Sequence, residues 1–190
     1  MKSGKFICLL LLLAFAAAVL YGCGEKAELS ASAKKLVGSW AYNHDSETEI
    51  LRLKANGVAK YGDEKYSFEA DESFLLLTDD KGETMSLRYE PTDDGMLLYQ
   101  TAYYTYSGEG EPDGIIGTWE NPNKWSFEFT EEGTFMEDGY FPGYYMQDSE
   151  NCSLKLIYTD QFEDTTIYYS QNGTELIVEY PWKMVKTGTE

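Results

Sequence analysis

The chain has 190 residues and a formal net charge of −18 at neutral pH, from 33 acidic and 15 basic side chains. A surface this acidic repels phosphate backbones and anionic lipid headgroups, which argues against nucleic acid as a partner and against electrostatic binding to a membrane. The length suits one ordinary domain or two very small ones.

The first 23 residues predict where the protein works. Lys2 and Lys5 form a short basic start, and residues 6–20 are an unbroken apolar run of 15 residues. This run is short for a membrane span, which needs about 20 residues, but it suits a secretory signal. The sequence that follows, Leu20-Tyr21-Gly22-Cys23, resembles the lipobox of bacterial lipoproteins.

This resemblance implies that residues 1–22 are a signal peptide and that Cys23 is lipidated and becomes the new N-terminus, with residues 23–35 as a linker. Cleavage leaves 168 residues and a formal charge of −20. Two or more acyl chains anchor a protein stably. We therefore expect a lipid-anchored protein at the cell membrane, facing outside the cytoplasm, with the membrane as a partner through the lipid. The alternative is an uncleaved anchor helix.

One motif occurs twice in the chain. The first copy begins with Leu36-Val37-Gly38-Ser39-Trp40 and the second with Ile115-Ile116-Gly117-Thr118-Trp119. Each copy continues with an alternating run into a glycine turn, a strand ending in Thr-Asp, and a final glycine turn before a last strand. We predict repeats at residues 36–106 and 115–190, joined by a linker at residues 107–114 that has no apolar side chain to bury.

Beyond one helical turn at residues 31–36, the pattern is that of short strands. Apolar and polar residues alternate with a period of two, and turn signals such as Asn56-Gly57 and Asn172-Gly173 recur every ten to twenty residues. Closing such a meander removes its exposed edges. The predicted fold class is all-β, with two tandem small antiparallel meander β-barrels of about seven or eight strands each.

A Gly-Ser/Thr-Trp motif followed by a meander resembles the lipocalin-like small β domains of bacterial lipoproteins, most of which have unknown function. In lipocalins the tryptophan of this motif plugs the closed end of the barrel, and a basic residue near the last strand packs over it. The resemblance implies that Lys183 or Lys186 supplies this cation in the second copy. At the corresponding place, the first copy offers only tyrosines. It also implies structural roles for Gly38, Trp40, Gly117 and Trp119.

Enzyme and metal signatures are mostly missing from the sequence. His44 is the only histidine and stands in a polar stretch, which indicates a surface residue. There is no glycine-rich phosphate loop and no paired Cys or His ligand spacing. Acid pairs adjoin turns, where Asp supports turn geometry. These acid pairs are Asp71/Glu72, Asp79/Asp80, Asp93/Asp94 and Glu131/Glu132. We predict no cofactor and no metal site.

Cys152 has no predicted disulfide partner, because Cys8 leaves with the signal peptide and Cys23 carries lipid. It alternates with Leu154 and Leu156 on one side of an apparent strand. We expect a buried structural thiol, with a reactive thiol as the alternative.

The sixteen tyrosines provide the stronger functional indication. Consecutive residues on a strand point to opposite faces, so one member of Tyr103/Tyr104 and one of Tyr144/Tyr145 cannot lie in a core. Exposed tyrosine suits the binding of proteins, sugars or apolar ligands. Cross-strand pairing within the sheet is the alternative role. The ligand-binding candidates are Tyr103, Tyr104, Tyr140, Phe141, Tyr144 and Tyr145.

We therefore predict a surface-anchored, non-enzymatic binding module for a small apolar ligand, an envelope protein or a glycan. An eight-stranded barrel is only just wide enough for its own side chains. We expect inward-facing residues to fill the second barrel, namely Phe127, Phe129, Leu154 and Leu156. Binding is then expected on the outer surface or loop rim of this barrel. The alternatives are a glycan- or cell-wall-directed hydrolase using paired carboxylates, and a spacer without a ligand.

Overall fold

A computed structural model of the chain describes residues 28–159 and 162–189. The predicted signal peptide and Cys23 lie outside these residues. Within them, no helix is both long and apolar enough to cross a membrane. The elements, in chain order, are α1 (Ala31–Leu36), β1 (Gly38–Tyr42), β2 (Asp45–Leu53), β3 (Val58–Tyr61), β4 (Glu64–Ala70), β5 (Phe74–Thr78), β6 (Thr84–Thr92), β7 (Gly95–Tyr106), β8 (Gly117–Glu120), β9 (Ser126–Phe129), β10 (Thr134–Glu137), β11 (Phe141–Asp148), β12 (Ser153–Tyr158), β13 (Thr165–Asn172) and β14 (Glu175–Gly188).

The strands pair antiparallel with their neighbours in the chain, which confirms the predicted all-β meander. Tight glycine turns make these short connections. Gly57 (φ +81°) between β2 and β3 and Gly133 (φ +76°) between β9 and β10 occupy equivalent places in the two repeats. Both lie in the left-handed region, which glycine adopts without a steric penalty.

The described chain forms two compact units. The first unit comprises residues 28–99 and 182–189, and the second comprises residues 100–159 and 162–181. Both β7 and β14 begin in one unit and end in the other, so each unit contains eight strand segments. The last strand segment of each predicted repeat therefore belongs to the unit built mainly from the other repeat.

The first unit has a core built mainly from leucines. Alternate residues of its strands are buried, as at Leu51 and Leu53 on β2 and at Leu75 and Leu77 on β5. Helix α1 adds Ala33 and Leu36 to the same core. Each large apolar side chain buried in this way contributes about 1.5–3 kcal/mol.

The second unit has a more aromatic core. The four residues predicted to face inward, Phe127, Phe129, Leu154 and Leu156, are all buried, which confirms that expectation. The rings of Phe127 and Phe129 stack 5.5 Å apart, and Phe129 lies 6.4 Å from Phe135. The interior is therefore filled by large side chains at these levels.

The two Gly-x-Trp motifs have the same local structure. The Trp40 indole donates a hydrogen bond to the Leu36 carbonyl at 2.8 Å, and the Trp119 indole donates one to the Ile115 carbonyl at 2.7 Å. Both rings are buried. Two residues earlier, Gly38 (φ +140°) and Gly117 (φ +116°) take backbone conformations that side chains disfavour.

A different side chain covers each tryptophan. The Lys186 ammonium lies over the Trp40 ring, 5.2 Å from its centroid, while the Tyr106 ring lies 5.3 Å from Trp119. The expectation that Lys183 or Lys186 covers Trp119 is therefore wrong. Lys186 stands on the part of β14 that belongs to the first unit, and Lys183 forms an ion pair with Asp94 at 3.0 Å.

Gly38→Ala is expected to destabilise the protein more than Gly62→Ala. At Gly38 the added Cβ would lie 2.5 Å from the Gly188 carbonyl oxygen and 2.4 Å from Lys186 Cε, whereas at Gly62 (φ +58°) nothing lies within 4 Å. Backbone strain applies at both positions, and crowding only at Gly38, so we expect a loss of about 2–4 kcal/mol there against about 1–2 kcal/mol at Gly62. Urea denaturation measures both values, and equal losses would contradict the proposed close packing.

Candidate functional site

The consecutive tyrosines do point in opposite directions. Tyr103 is 66% exposed and Tyr144 is 56% exposed, whereas Tyr104 is buried and Tyr145 is half-buried. This confirms that one member of each pair lies outside a core. Only the outward-facing members present their rings to a ligand on the outer surface.

The inward-facing tyrosines have structural contacts. The Tyr145 hydroxyl donates to the Thr130 carbonyl at 2.9 Å, and its ring packs edge-on against Phe129 at 5.2 Å. The Tyr104 ring lies 5.4 Å from Phe127. Burial raises the pKa of both phenols, which therefore stay neutral at physiological pH.

Tyr144 borders a shallow groove of about 280 Å³ on the outer face of β9, β10 and β11, which we call the outer groove. Thr130 and Thr134 both line this groove, and their hydroxyl oxygens are hydrogen-bonded to each other at 2.7 Å. The groove thus combines an aromatic ring, hydroxyls, a carboxylate and apolar surface. Its principal side chains are Glu128, Thr130, Thr134, Met136, Pro142 and Tyr144.

The first repeat has different residues at the equivalent places. Taking the glycine turns at Gly57 and Gly133 as equivalent, the counterparts of Glu128, Thr130 and Met136 are the basic residues Arg52, Lys54 and Lys60. The partner of Val58 across β3 and β4 is Ser67, whereas the partner of Thr134 across β10 and β11 is Tyr144. The composition of the outer groove is therefore specific to the second repeat.

Three aromatic side chains form a second patch, which we call the aromatic rim. Tyr140 is 80% exposed, Phe141 is half-buried, and Phe162 is exposed. Phe162 packs edge-on against Phe141 at 4.8 Å, and the rings of Tyr140 and Phe141 are 6.5 Å apart. Phe162 is not among the residues predicted from the sequence, although an isolated phenylalanine in an acidic loop is itself a signal.

A polar cluster lies next to the aromatic rim. The Tyr158 hydroxyl donates to the Glu137 carboxylate, and the hydroxyls of Tyr158 and Tyr180 are 3.2 Å apart. Phe162 contacts this cluster, with its ring 5.7 Å from that of Tyr158. We call Glu137, Tyr158 and Tyr180 the inner polar cluster.

Burial raises the pKa of the Glu137 carboxyl above its usual range. The hydrogen bond from Tyr158 lowers it, and the negative charge of Asp138 raises it. Burial likewise raises the pKa of Tyr158 and of Tyr180. Sequence reasoning missed Glu137, although the alternation in Thr134-Phe135-Met136-Glu137 places it on the same face as the buried Phe135.

The inner polar cluster is also specific to the second repeat. Counting from the same glycine turns, Tyr61 is the counterpart of Glu137, and counting from the two Thr-Asp pairs, Leu77 is the counterpart of Tyr158. Leu77 is completely buried. An apolar position of the first repeat thus carries a hydrogen-bonding tyrosine in the second.

Two of the four predicted acid pairs, Asp71/Glu72 and Asp79/Asp80, have the role expected of turn residues. Asp71 Oδ1 accepts hydrogen bonds from the amides of Ser73 and Phe74, and Asp79 Oδ1 accepts them from Lys81 and Glu83. In the described part of the chain, no three His, Cys, Asp or Glu side chains are grouped to hold a metal ion. His44 is exposed, as expected, and stacks on Tyr42 at 5.3 Å.

Cys152 differs from its expectation. It lies in the turn before β12 with φ +50° and is half-buried. The expectation of a fully buried residue on the strand is therefore wrong. Cys152 alternates with Leu154 in the sequence, so the alternating pattern of the strand continues into the turn before β12.

Comparison of the chain with protein-family models, curated proteins and solved structures finds no match. Its function must therefore be inferred from its own side chains.

Glu137→Gln is expected to change how stability depends on pH. Because the folded pKa of Glu137 is raised, its contribution to stability is fully present below the unfolded pKa of about 4.5 and is lost as the pH rises through the folded value. Glutamine stays neutral, so the variant should gain stability relative to the wild type between pH 4 and pH 7, by an amount on the order of 1 kcal/mol. Urea denaturation across this range measures the difference.

Glu150→Gln, at an exposed turn, controls for the loss of one negative charge. If the stability difference between Glu137→Gln and the wild type does not grow with pH, the carboxyl is not shielded from water as described.

Proposed function

We propose that this protein is a lipid-anchored, non-enzymatic binding module outside the cytoplasm, and that it binds a glycan in the outer groove. The observation that carries the proposal is the exposed Tyr144 ring beside the hydroxyls of Thr130 and Thr134 and the carboxylate of Glu128. Aromatic rings offer a flat apolar face to a sugar, and nearby oxygens accept or donate hydrogen bonds to its hydroxyls.

Two observations favour a glycan over the other partners considered. A small apolar ligand would need an enclosed cavity, but the large buried side chains Phe127, Phe129 and Leu156 occupy the interior. An envelope protein would normally cover a larger and more continuous apolar area than this shallow groove offers. The net charge of −18 favours a neutral polysaccharide over an acidic one.

We also propose that each unit closes into a small lipocalin-like barrel. In the first unit, β1 pairs with residues 184–188 of β14, and Lys183 forms an ion pair with Asp94 in the turn just before β7. In the second unit, the Tyr106 amide donates to the Thr174 carbonyl at 2.8 Å. These contacts join the first and last strand segments of each unit, as closure requires.

A glycan-directed hydrolase is the second candidate, and the raised pKa of Glu137 favours it. Catalytic acids need such a shift, but glycoside hydrolysis uses two carboxylates about 5–9.5 Å apart on either side of the substrate. The neighbouring acid, Asp138, accepts a hydrogen bond from the Ser126 amide at 2.8 Å and so has a structural role. The inner polar cluster therefore supports this function less well than the outer groove supports binding.

Tyr144→Ala is expected to weaken polysaccharide binding about tenfold, because loss of a stacked ring costs roughly 1–1.5 kcal/mol. The matched control is Tyr103→Ala, which removes another exposed tyrosine that does not line the outer groove. The probes are a soluble β-glucan, a mannan and a xylan, with affinity measured by isothermal titration calorimetry.

Binding of none of these polysaccharides, or equal loss in both variants, would refute the proposed groove. Release of new reducing ends from a probe, abolished by Glu137→Gln, would instead establish the hydrolase.

Cys23→Ser is expected to remove the lipid anchor. The predicted cleavage site places the acyl chains on this thiol, so the variant should lose label from a clickable palmitate analogue and move from the membrane fraction to the soluble fraction. Cys152→Ser controls for loss of a cysteine and should keep its label. Retention of the label by the Cys23 variant would contradict the lipoprotein assignment.

A further inference from the structure

The carboxylate of Glu137 lies among aromatic side chains of the second unit. Glu137 is the last residue of β10, and its direct neighbours across the sheet are Phe127 on β9 and Phe141 on β11. Residues that oppose each other in antiparallel strands project from the same face of the sheet. Because Phe127 is buried in the core, Glu137 and Phe141 lie on the inner face as well. This is the opposite face of β10 from the outer groove, so a site here is independent of the proposed glycan site.

Three rings form a connected wall beside this carboxylate. The Tyr158 hydroxyl donates to Glu137 Oε2, the Tyr158 ring lies 5.7 Å from that of Phe162, and Phe162 packs edge-on against Phe141 at 4.8 Å. Phe162 is 48% exposed, and Glu137 and Phe141 are half-buried, so this wall extends to the protein surface. We call Glu137 together with Phe141, Tyr158 and Phe162 the aromatic cage.

The carboxylate of the aromatic cage has no cation beside it within the described part of the chain. No Lys or Arg there forms an ion pair with Glu137, and no donor reaches its Oε1 atom. None of the described side chains has a buried oxygen without a hydrogen bond, so solvent reaches Oε1. A carboxylate shielded from water is normally paired with a positive charge, because an uncompensated charge is costly to bury. The raised pKa of Glu137 and the adjacent charge of Asp138 are consistent with this missing cation.

The fold itself does not require these polar groups. The first repeat has Tyr61 and the completely buried Leu77 at the places of Glu137 and Tyr158, within the same framework of strands. An uncharged interior therefore satisfies this architecture. A ligand that supplies the missing positive charge gives the carboxylate of the second unit a role that folding does not.

We propose that the aromatic cage binds a small organic ammonium ion, whose N–H group donates to Glu137 Oε1 and whose apolar body packs against Phe141 and Phe162. Hydrogen bonds between an ammonium and a carboxylate are stronger than neutral ones, and aromatic rings attract cations. The exposed Glu163 beside Phe162 and the net charge of −18 raise the local concentration of cations and disfavour anions. A metal ion would need several ligands, and no group of three His, Cys, Asp or Glu side chains occurs among the described residues.

Two probes that differ only in charge test the proposal on the full chain. Isothermal titration calorimetry near neutral pH should show 2-phenylethylammonium binding about tenfold more tightly than the neutral 2-phenylethanol, which has the same apolar body. Glu137→Gln should weaken binding of the ammonium about tenfold and leave binding of the alcohol unchanged. The matched control is Glu150→Gln, which removes a negative charge at an exposed turn and should change neither affinity.

A second variant tests the ring wall separately from the carboxylate. Phe162→Leu keeps an apolar side chain and removes the ring, so it should weaken binding of the ammonium about threefold and affect the alcohol less. Tyr103→Leu, which removes an exposed ring outside the aromatic cage, is the control and should have no effect.

Three outcomes overturn the proposal. The first is failure of 2-phenylethylammonium to bind the wild-type chain, and the second is equal affinity of the ammonium for the wild type and for Glu137→Gln. The third is tighter binding of Nα-acetyl-lysine methylamide than of 2-phenylethylammonium, which would assign the aromatic cage to a lysine side chain of a partner protein and not to a small ammonium ion.

Discussion

A β-strand at the edge of a sheet exposes unpaired amide and carbonyl groups, and β1 avoids this by pairing with residues at the other end of the chain. Gly38 makes the pairing close, because its missing side chain leaves room for Lys186. Lys186 then covers Trp40, whose indole holds the last residue of α1 through the Leu36 carbonyl. The helix, the tryptophan and the terminal strand of the first unit are thus fixed by one set of contacts.

The two repeats use the same framework for different interiors and surfaces. The first has an aliphatic core with Leu77, and basic side chains at positions 52, 54 and 60. The second has an aromatic core, the half-buried Glu137 and the exposed ring of Tyr144. Buried polar groups cost free energy unless they are hydrogen-bonded, so the contacts of Tyr158 with Glu137 and Tyr180 are what make the second interior tolerable.

Local pattern was sufficient to predict the strands, the helical turn and the inward-facing residues, because alternation with a period of two directly reports which side chains are buried. The same rule separated Tyr103 from Tyr104 and Tyr144 from Tyr145. Local sequence pattern does not indicate which of two similar sheet edges a strand pairs with. The position of Lys186 over Trp40 could therefore not be read from the sequence, and the resemblance to lipocalins suggested the wrong tryptophan.

The candidate site was predicted only in part for a related reason. Tyr140, Phe141 and Tyr144 were found because aromatic residues stand out in composition, whereas Thr130, Thr134 and Glu128 resemble ordinary outward-facing strand residues. Only pairing between β9, β10 and β11 brings them beside Tyr144. Phe162 and Tyr158 are likewise joined by the fold and not by their spacing.

The position of residues 182–188 has a consequence for biogenesis. A chain synthesised from its N-terminus delivers residues 28–99 first and residues 182–188 last. The first unit therefore lacks a strand until synthesis is almost finished, and its Trp40 is uncovered until Lys186 arrives. Completion of the first unit then requires the whole polypeptide, and a chain truncated near its C-terminus carries its defect in the unit that its N-terminal half builds.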